Sequence, residues 1–84
     1  MSDLQAAFDK AMANSKNLSD RPDNATLLKL YALYKQGSTG DNIEPKPGFS
    51  DPVARAKWDA WTKVKGTSQD AAKQLYIDLI AELG

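Results

Sequence analysis

The chain contains no cysteine and no histidine. The first absence excludes disulfide frameworks and thiolate nucleophiles. Together the two remove the usual zinc ligand sets and the side chain most used in general acid–base catalysis. A reducing compartment, the cytoplasm, is the natural setting. No stretch approaches the ~20 apolar residues that span a bilayer, and the opening Met1-Ser-Asp-Leu-Gln5 offers neither a basic nor an apolar leader segment. Neither secretion nor stable membrane insertion is expected, and the glycosylation-type triplets Asn17-Leu-Ser19 and Asn24-Ala-Thr26 are read as accidental. An excess of one charge is lacking too. Its 11 basic residues balance 11 acidic ones, which argues against the summed phosphate neutralisation that drives non-specific nucleic-acid binding.

What remains is a helical chain. Its 84 residues make one domain, 1–84, near the size at which a single core leaves little stability in reserve. Leu4, Phe8, Ala11 and Met12 follow the helical period and predict a first amphipathic helix over 3–16, capped by Ser2 or Asp3. Pro22 marks a turn, and Asp23 or Asn24 caps a second helix over 24–36, carrying Leu27, Leu30, Tyr31 and Tyr34 and ended by Gly37. A third helix over 51–65 starts with Ser50 or Asp51 as cap and Pro52 at its first position, and buries Ala54, Trp58, Trp61 and Val64. Thr67-Ser-Gln-Asp70 reads as a capping box for the last helix, where Ala72, Leu75, Tyr76, Leu79, Ile80 and Leu83 give the strongest periodicity in the chain. With no strand pattern and no internal repeat, the expected fold is an all-α bundle of four helices.

Between the second and third helices lies a long polar stretch, 37–50, with three glycines, two prolines and no helical period. Loops of this length are uncommon in small domains and are usually functional or disordered. Ile43 and Phe49 are expected to tack this one to the core. Fourteen residues at up to ~3.3 Å each reach back along a helix that rises ~1.5 Å per residue, so the flanking helices are free to run parallel.

Chemistry has few places to reside. The carboxylates sit at caps, in the loop or singly on helix faces, and Gly37-Ser-Thr-Gly-Asp41 lacks the Gly-Lys-Ser/Thr ending of a phosphate loop. Neither an enzyme nor a metal site is expected, and no cofactor is called for. Binding is better supported. Basic residues crowd the middle of the chain, where Lys29, Lys35, Lys46, Arg55, Lys57, Lys63 and Lys65 face only Asp41, Glu44, Asp51 and Asp59. Tyr31 and Lys35 are one turn apart, Tyr34 is one turn from Tyr31, and a parallel third helix brings Lys57 to the same spot, with Tyr76 approaching from the fourth. Two lysines and a tyrosine hydroxyl suit a phosphate, and a neighbouring ring suits a base. Each residue alone has a plainer explanation: tyrosines at helical spacing usually belong to a core, and helix lysines are usually solvated.

Read as an ordered set, these residues resemble the acyl-CoA-binding protein family. The match runs through Phe8, Pro22, Tyr31-x-x-Tyr34-Lys35-Gln36, Gly40-Asp41, Pro47-Gly48, Asp51, Ala56-Lys57-Trp58-Asp59-Ala60-Trp61, Gly66-Thr67-Ser68, Ala72 and Tyr76-Ile77. The resemblance implies a four-helix bundle of up-down-down-up topology and a monomeric cytoplasmic carrier that binds long-chain fatty acyl-CoA thioesters without altering them. It implies that Tyr31, Lys35 and Lys57 hold the 3′-phosphate of CoA, that Tyr34 stacks on the adenine and that Tyr76 completes the nucleotide pocket. Met12, Leu27, Leu28 and Ala56 are implied along the path of the acyl chain. The chain departs from the family pattern at Gly37-Ser38, where Ala-Thr is frequent, at Lys46, often Arg, and at Lys29, commonly apolar.

Two other function classes are compatible with such helices. A helical interaction module would accept a peptide helix in a groove, and its binding would survive loss of Tyr34 and Lys35. A thioester hydrolase would turn its ligand over unaided.

Overall fold

Four helices order the chain: α1 (Asp3–Asn14), α2 (Asn24–Ser38), α3 (Pro52–Lys63) and α4 (Gln69–Leu83), with a 3₁₀ turn at Ser15–Asn17 and no strand among the described residues. The computed structural model describes residues 3–84, so Ser2, one of two candidate caps for α1, lies outside the described residues. Asp3 is the first residue of α1, where a carboxylate complements the positive end of the helix.

The other helix starts are made by short polar side chains. Asp23 accepts the Thr26 amide at 2.8 Å and Asp51 the Ala54 amide at 3.0 Å, with Pro52 following as predicted. At α4 the cap is Ser68 rather than Thr67; its hydroxyl accepts the Ala71 amide at 3.1 Å. Thr67 gives its carbonyl to Gln36 Nε2 at 2.7 Å instead.

The end of α2 departs from expectation. The helix does not stop at Gly37, which is buried inside it, but runs to Ser38; Gly40, at φ +98°, turns the chain away. Gly37 serves packing. A Cβ there would lie 3.0 Å from Lys73 Cγ and 3.3 Å from Phe8 Cζ, so only glycine lets α1 and α4 close on α2 without a shift.

Contacts across the helices fix the topology. Lys57 Nζ stands 5.4 Å from the centre of the Tyr31 ring and Lys35 Nζ 4.8 Å from that of Trp61. Both helices advance one turn in the same sense between these pairs, so α2 and α3 run parallel. Gly37 meets Lys73 while Tyr34 shares a groove with Tyr76, so α4 runs against α2. Gly37 also meets Phe8 and Tyr34 meets Met12, so α1 runs against α2 as well. The result is up-down-down-up, with α2 packed on α3 to one side and α4 to the other, and α1 against α4.

The core lies between α1, α2 and α4. Phe8, Ala11, Leu30, Leu33, Tyr76 and Ile80 form one buried cluster, and Phe8 meets Tyr76 edge-on at 5.3 Å between ring centres. Several members of the expected stripes sit differently, Ala54 and Val64 being only partly buried. Leu75 is about half exposed, and Trp58 is only partly covered, whereas Trp61 is 1% exposed.

The long loop is held by polar bonds. Ile43 and Phe49, expected to tack it down, are 91% and 97% exposed. In their place Trp61 Nε1 donates to the Gly40 carbonyl at 2.9 Å and Trp58 Nε1 to that of Glu44 at 2.8 Å. Asn42 Nδ2 donates to Thr62 Oγ1 at 3.0 Å. The Asp41 carboxylate accepts from Gln36 Nε2 at 2.8 Å and from the Gly66 amide at 2.9 Å, which ties the end of α2 to the turn between α3 and α4.

Candidate functional site

Where α2 turns its tyrosines towards α3 and α4, a groove of about 360 Å³ opens, walled by Tyr31, Tyr34, Lys57 and Tyr76 with Leu27 and Leu30 beneath. Four of the five residues predicted for the nucleotide end therefore come from three helices into one depression. Local sequence explains each placement. Tyr31 and Tyr34 share a face of α2 at one-turn spacing, Lys57 is carried to Tyr31 by the parallel α3, and Tyr76 is anchored by Phe8.

The two outer tyrosines differ in exposure. Tyr76 is 5% exposed and presents only part of its ring to the groove. Tyr34 is 39% exposed and is backed by Phe8, the two rings lying 22° from parallel with centres 6.4 Å apart. A supported aromatic face open to solvent is the platform that a base needs. Lys57, over the Tyr31 ring, puts an ammonium on the rim.

Lys35 is placed otherwise. Its ammonium lies over Trp61, not in the groove lining, on the side where Tyr31, Lys57, Trp58 and Trp61 enclose a smaller hollow of about 170 Å³ beneath Glu44, Pro45 and Pro47. Tyr31 and Lys57 wall both depressions, and Lys35 lines neither.

An apolar trough continues from the first groove. It measures about 470 Å³ and shares Leu27, Tyr31 and Lys57 with the tyrosine groove while adding Leu28, Val53 and Ala56. Leu28 and Ala56 also wall a further hollow of about 460 Å³ along the α2–α3 seam, floored by Ala32, Ala60 and Val64. Three of the four predicted acyl-path residues, Leu27, Leu28 and Ala56, thus adjoin one another. Met12 does not join them. It lies on α1 beside Tyr34 and Tyr76, because α1 packs against α4, which lies across α2 from α3.

Sequence reasoning missed Ser15, Lys16, Leu18 and Pro22, which border the tyrosine groove or its extension towards Met12. The 3₁₀ turn and the extended Leu18 bring them there. The hint was available in Leu18 and Pro22, two apolar residues in an otherwise polar turn.

Two carboxylates near this region are held in their charged form. Thr26, through its side chain and then its amide, lowers the pKa of Asp23, and the Gly66 amide followed by Gln36 lowers that of Asp41. Both are structural anions that fix a helix start and a loop. Among the described residues no group of three or more acidic side chains is placed to hold a metal ion, and no helix is long and apolar enough to cross a membrane.

Comparison with known proteins gives a consistent result. The family model "Acyl CoA binding protein" matches residues 5–80. The Caenorhabditis elegans acyl-CoA-binding protein homolog 1 is 49% identical over 80 residues, covering 95% of this chain and 93% of the relative. Human enoyl-CoA delta isomerase 2 is 44% identical over 79 residues, which cover 94% of this chain but 20% of the isomerase. Among solved structures, the Oryza sativa acyl-CoA-binding protein 2 superposes with a TM-score of 0.92 at 38% identity, covering 95% of this chain and 89% of that one.

Proposed function

Since the chain belongs to the acyl-CoA-binding protein family, we propose that it is a non-enzymatic carrier of long-chain fatty acyl-CoA, working as a monomer in the cytoplasm. One observation carries the assignment of roles: the tyrosine groove and the apolar trough share Leu27, Tyr31 and Lys57, so a ligand with an anionic aromatic head and an apolar tail lies across both without a gap. Tyr31 and Lys57 take the 3′-phosphate at the shared wall, and Lys35 leaves Trp61 to join them. Tyr34 stacks on the adenine and Tyr76 closes the nucleotide end, with Met12 beside it. Leu27, Leu28 and Ala56 receive the acyl chain.

The energetics divide along the same line. Each buried methylene contributes up to ~0.8 kcal/mol, so the tail supplies much of the affinity. Charge-assisted bonds to phosphate select CoA and speed encounter, and they weaken with salt where exposed. Calorimetry with palmitoyl-CoA, free CoA and palmitate tests the assignment. Palmitoyl-CoA is expected to bind far more tightly than either part, and its thioester to remain intact on prolonged incubation. Absence of heat and of protection against unfolding at submillimolar palmitoyl-CoA would overturn it.

A further inference from the structure

The hollow of about 460 Å³ along the α2–α3 seam combines an apolar floor with charged walls. Lys29 of α2 and Lys63 of α3 line it, together with one acid, Asp59. That acid is already engaged: Arg55 Nε stands 3.5 Å from its carboxylate, the one ion pair among the described residues. Neither lysine joins that pair, and neither rests on a ring as Lys35, Lys46, Lys57 and Lys73 do. Both are exposed, so their ammonium groups face solvent at the edge of the hollow. Since Tyr31 is level with Lys57 and Lys35 with Trp61, Lys29 marks one end of the hollow. Lys63 lies about two turns further on, roughly 12 Å along the seam. Two cations so far apart do not close on one compact anion. A flexible chain that runs along the floor can reach either.

We propose that this hollow receives acyl tails that end in a carboxylate, the CoA monothioesters of long-chain dicarboxylic acids, with Lys29 pairing with the terminal carboxylate and Lys63 serving longer tails. The proposal rests on the carrier role, because the tail reaches the hollow only when the CoA end is held in the tyrosine groove. The hollow adjoins the apolar trough at Leu28 and Ala56, which wall both, and Lys29 is next to Leu28 in the chain. A tail that outruns the trough therefore arrives at Lys29. A methyl end gains nothing from an ammonium group, whereas a carboxylate gains a charge-assisted hydrogen bond. The carboxylate is not driven into an apolar interior, since both lysines are exposed and it keeps part of its hydration there. For the same reason the pair is worth only a few fold in affinity and is screened by salt.

Calorimetry with palmitoyl-CoA and hexadecanedioyl-CoA tests this, because the two tails have the same number of carbons and differ only in a methyl or a carboxylate at the end. The double variant Lys29→Gln/Lys63→Gln keeps both stems and removes both charges. It is expected to weaken hexadecanedioyl-CoA about three- to fivefold more than palmitoyl-CoA, a comparison in which any general attraction of the lysines for the CoA phosphates cancels. Lys29→Arg/Lys63→Arg should restore the difference, and about 1 M salt should abolish it in the unmodified protein. Equal weakening of the two ligands would overturn the proposal by reducing the lysines to that general attraction. No weakening of either would overturn it by placing the tail end elsewhere. An unmodified protein that binds palmitoyl-CoA but rejects hexadecanedioyl-CoA would keep the carrier role and remove this proposal, whereas one that binds neither would remove both.

Discussion

The two sides of α2 are built by different chemistry. Towards α1 and α4 it offers Leu30, Leu33 and the bare backbone of Gly37, and the contacts are apolar and close. Towards α3 it offers Tyr31 and Lys35, and the contacts are cations over rings with hollows between them. The first side can hold a fold without a ligand. The second is left underfilled, and a helix pair that packs incompletely in the free protein is one that a ligand can complete. Most of the stability thereby comes from the α1–α4 side of the helix and most of the open surface from its α3 side, with Tyr34 and Tyr76 serving both.

Substitutions can break that division. The largest effect is expected from Phe8→Ala on the packed side, where loss of a 1%-exposed ring should cost about 3–5 kcal/mol, a large part of the stability of so small a domain; urea unfolding measures it. Gly37→Leu should follow at about 1–3 kcal/mol through overpacking against Phe8 and Lys73. Phe8→Ala should also weaken palmitoyl-CoA binding, because Phe8 backs Tyr34 and anchors Tyr76, whereas Gly37→Leu should leave the affinity of the folded protein unchanged.

On the open side the pattern should invert. Lys57→Ala is expected to weaken palmitoyl-CoA binding about tenfold to a hundredfold, the range of a charged hydrogen bond, with little change in thermal midpoint. A lowered midpoint with unchanged affinity would make Lys57 structural. Lys35→Ala should sit between the two sides, since its ammonium now stabilises Trp61: a loss of about 0.5–1 kcal/mol in stability together with a smaller loss of affinity.

The smallest effect concerns pH. The bonds from Gly66 and Gln36 hold the pKa of Asp41 below its ordinary 3.8. Their contribution is full above that value and is lost as pH falls through the lower folded one. Asp41→Asn should flatten the acid limb of a stability profile, and Asp23→Asn, for the same reason at the start of α2, should do likewise. Acid is therefore expected to act on the loop and on the start of α2.

How far this division was legible from residues varies by element. Helical period placed all four helices, and Asp51-Pro52 marked a start that the fold keeps. Gly37 misled because a glycine after a polar run reads locally as a stop, whereas its role depends on Phe8 and Lys73, remote in sequence. Ile43 and Phe49 misled in the opposite way, since hydrophobicity alone does not say whether a loop residue faces the protein. At the site, Tyr31, Tyr34, Lys57 and Tyr76 converge because rings and stems are constrained by their helices. Lys35 has a long flexible stem, and no spacing rule foretells that it rests on Trp61. Met12, implied along the acyl path by resemblance, lies on α1 beside Tyr34 and Tyr76, a neighbourhood that the periodicity of one helix does not foretell.

The parallel pairing of α2 with α3 also sets their register. The contacts Tyr31 with Lys57 and Lys35 with Trp61 alternate ring and cation along the seam. Sliding α3 by one turn in one direction would set Lys35 against Lys57, ammonium on ammonium, and sliding it in the other would carry Lys35 past Trp61 towards Lys65. Neither alternative satisfies both pairs, so the two helices interlock like keyed parts that seat in a single position.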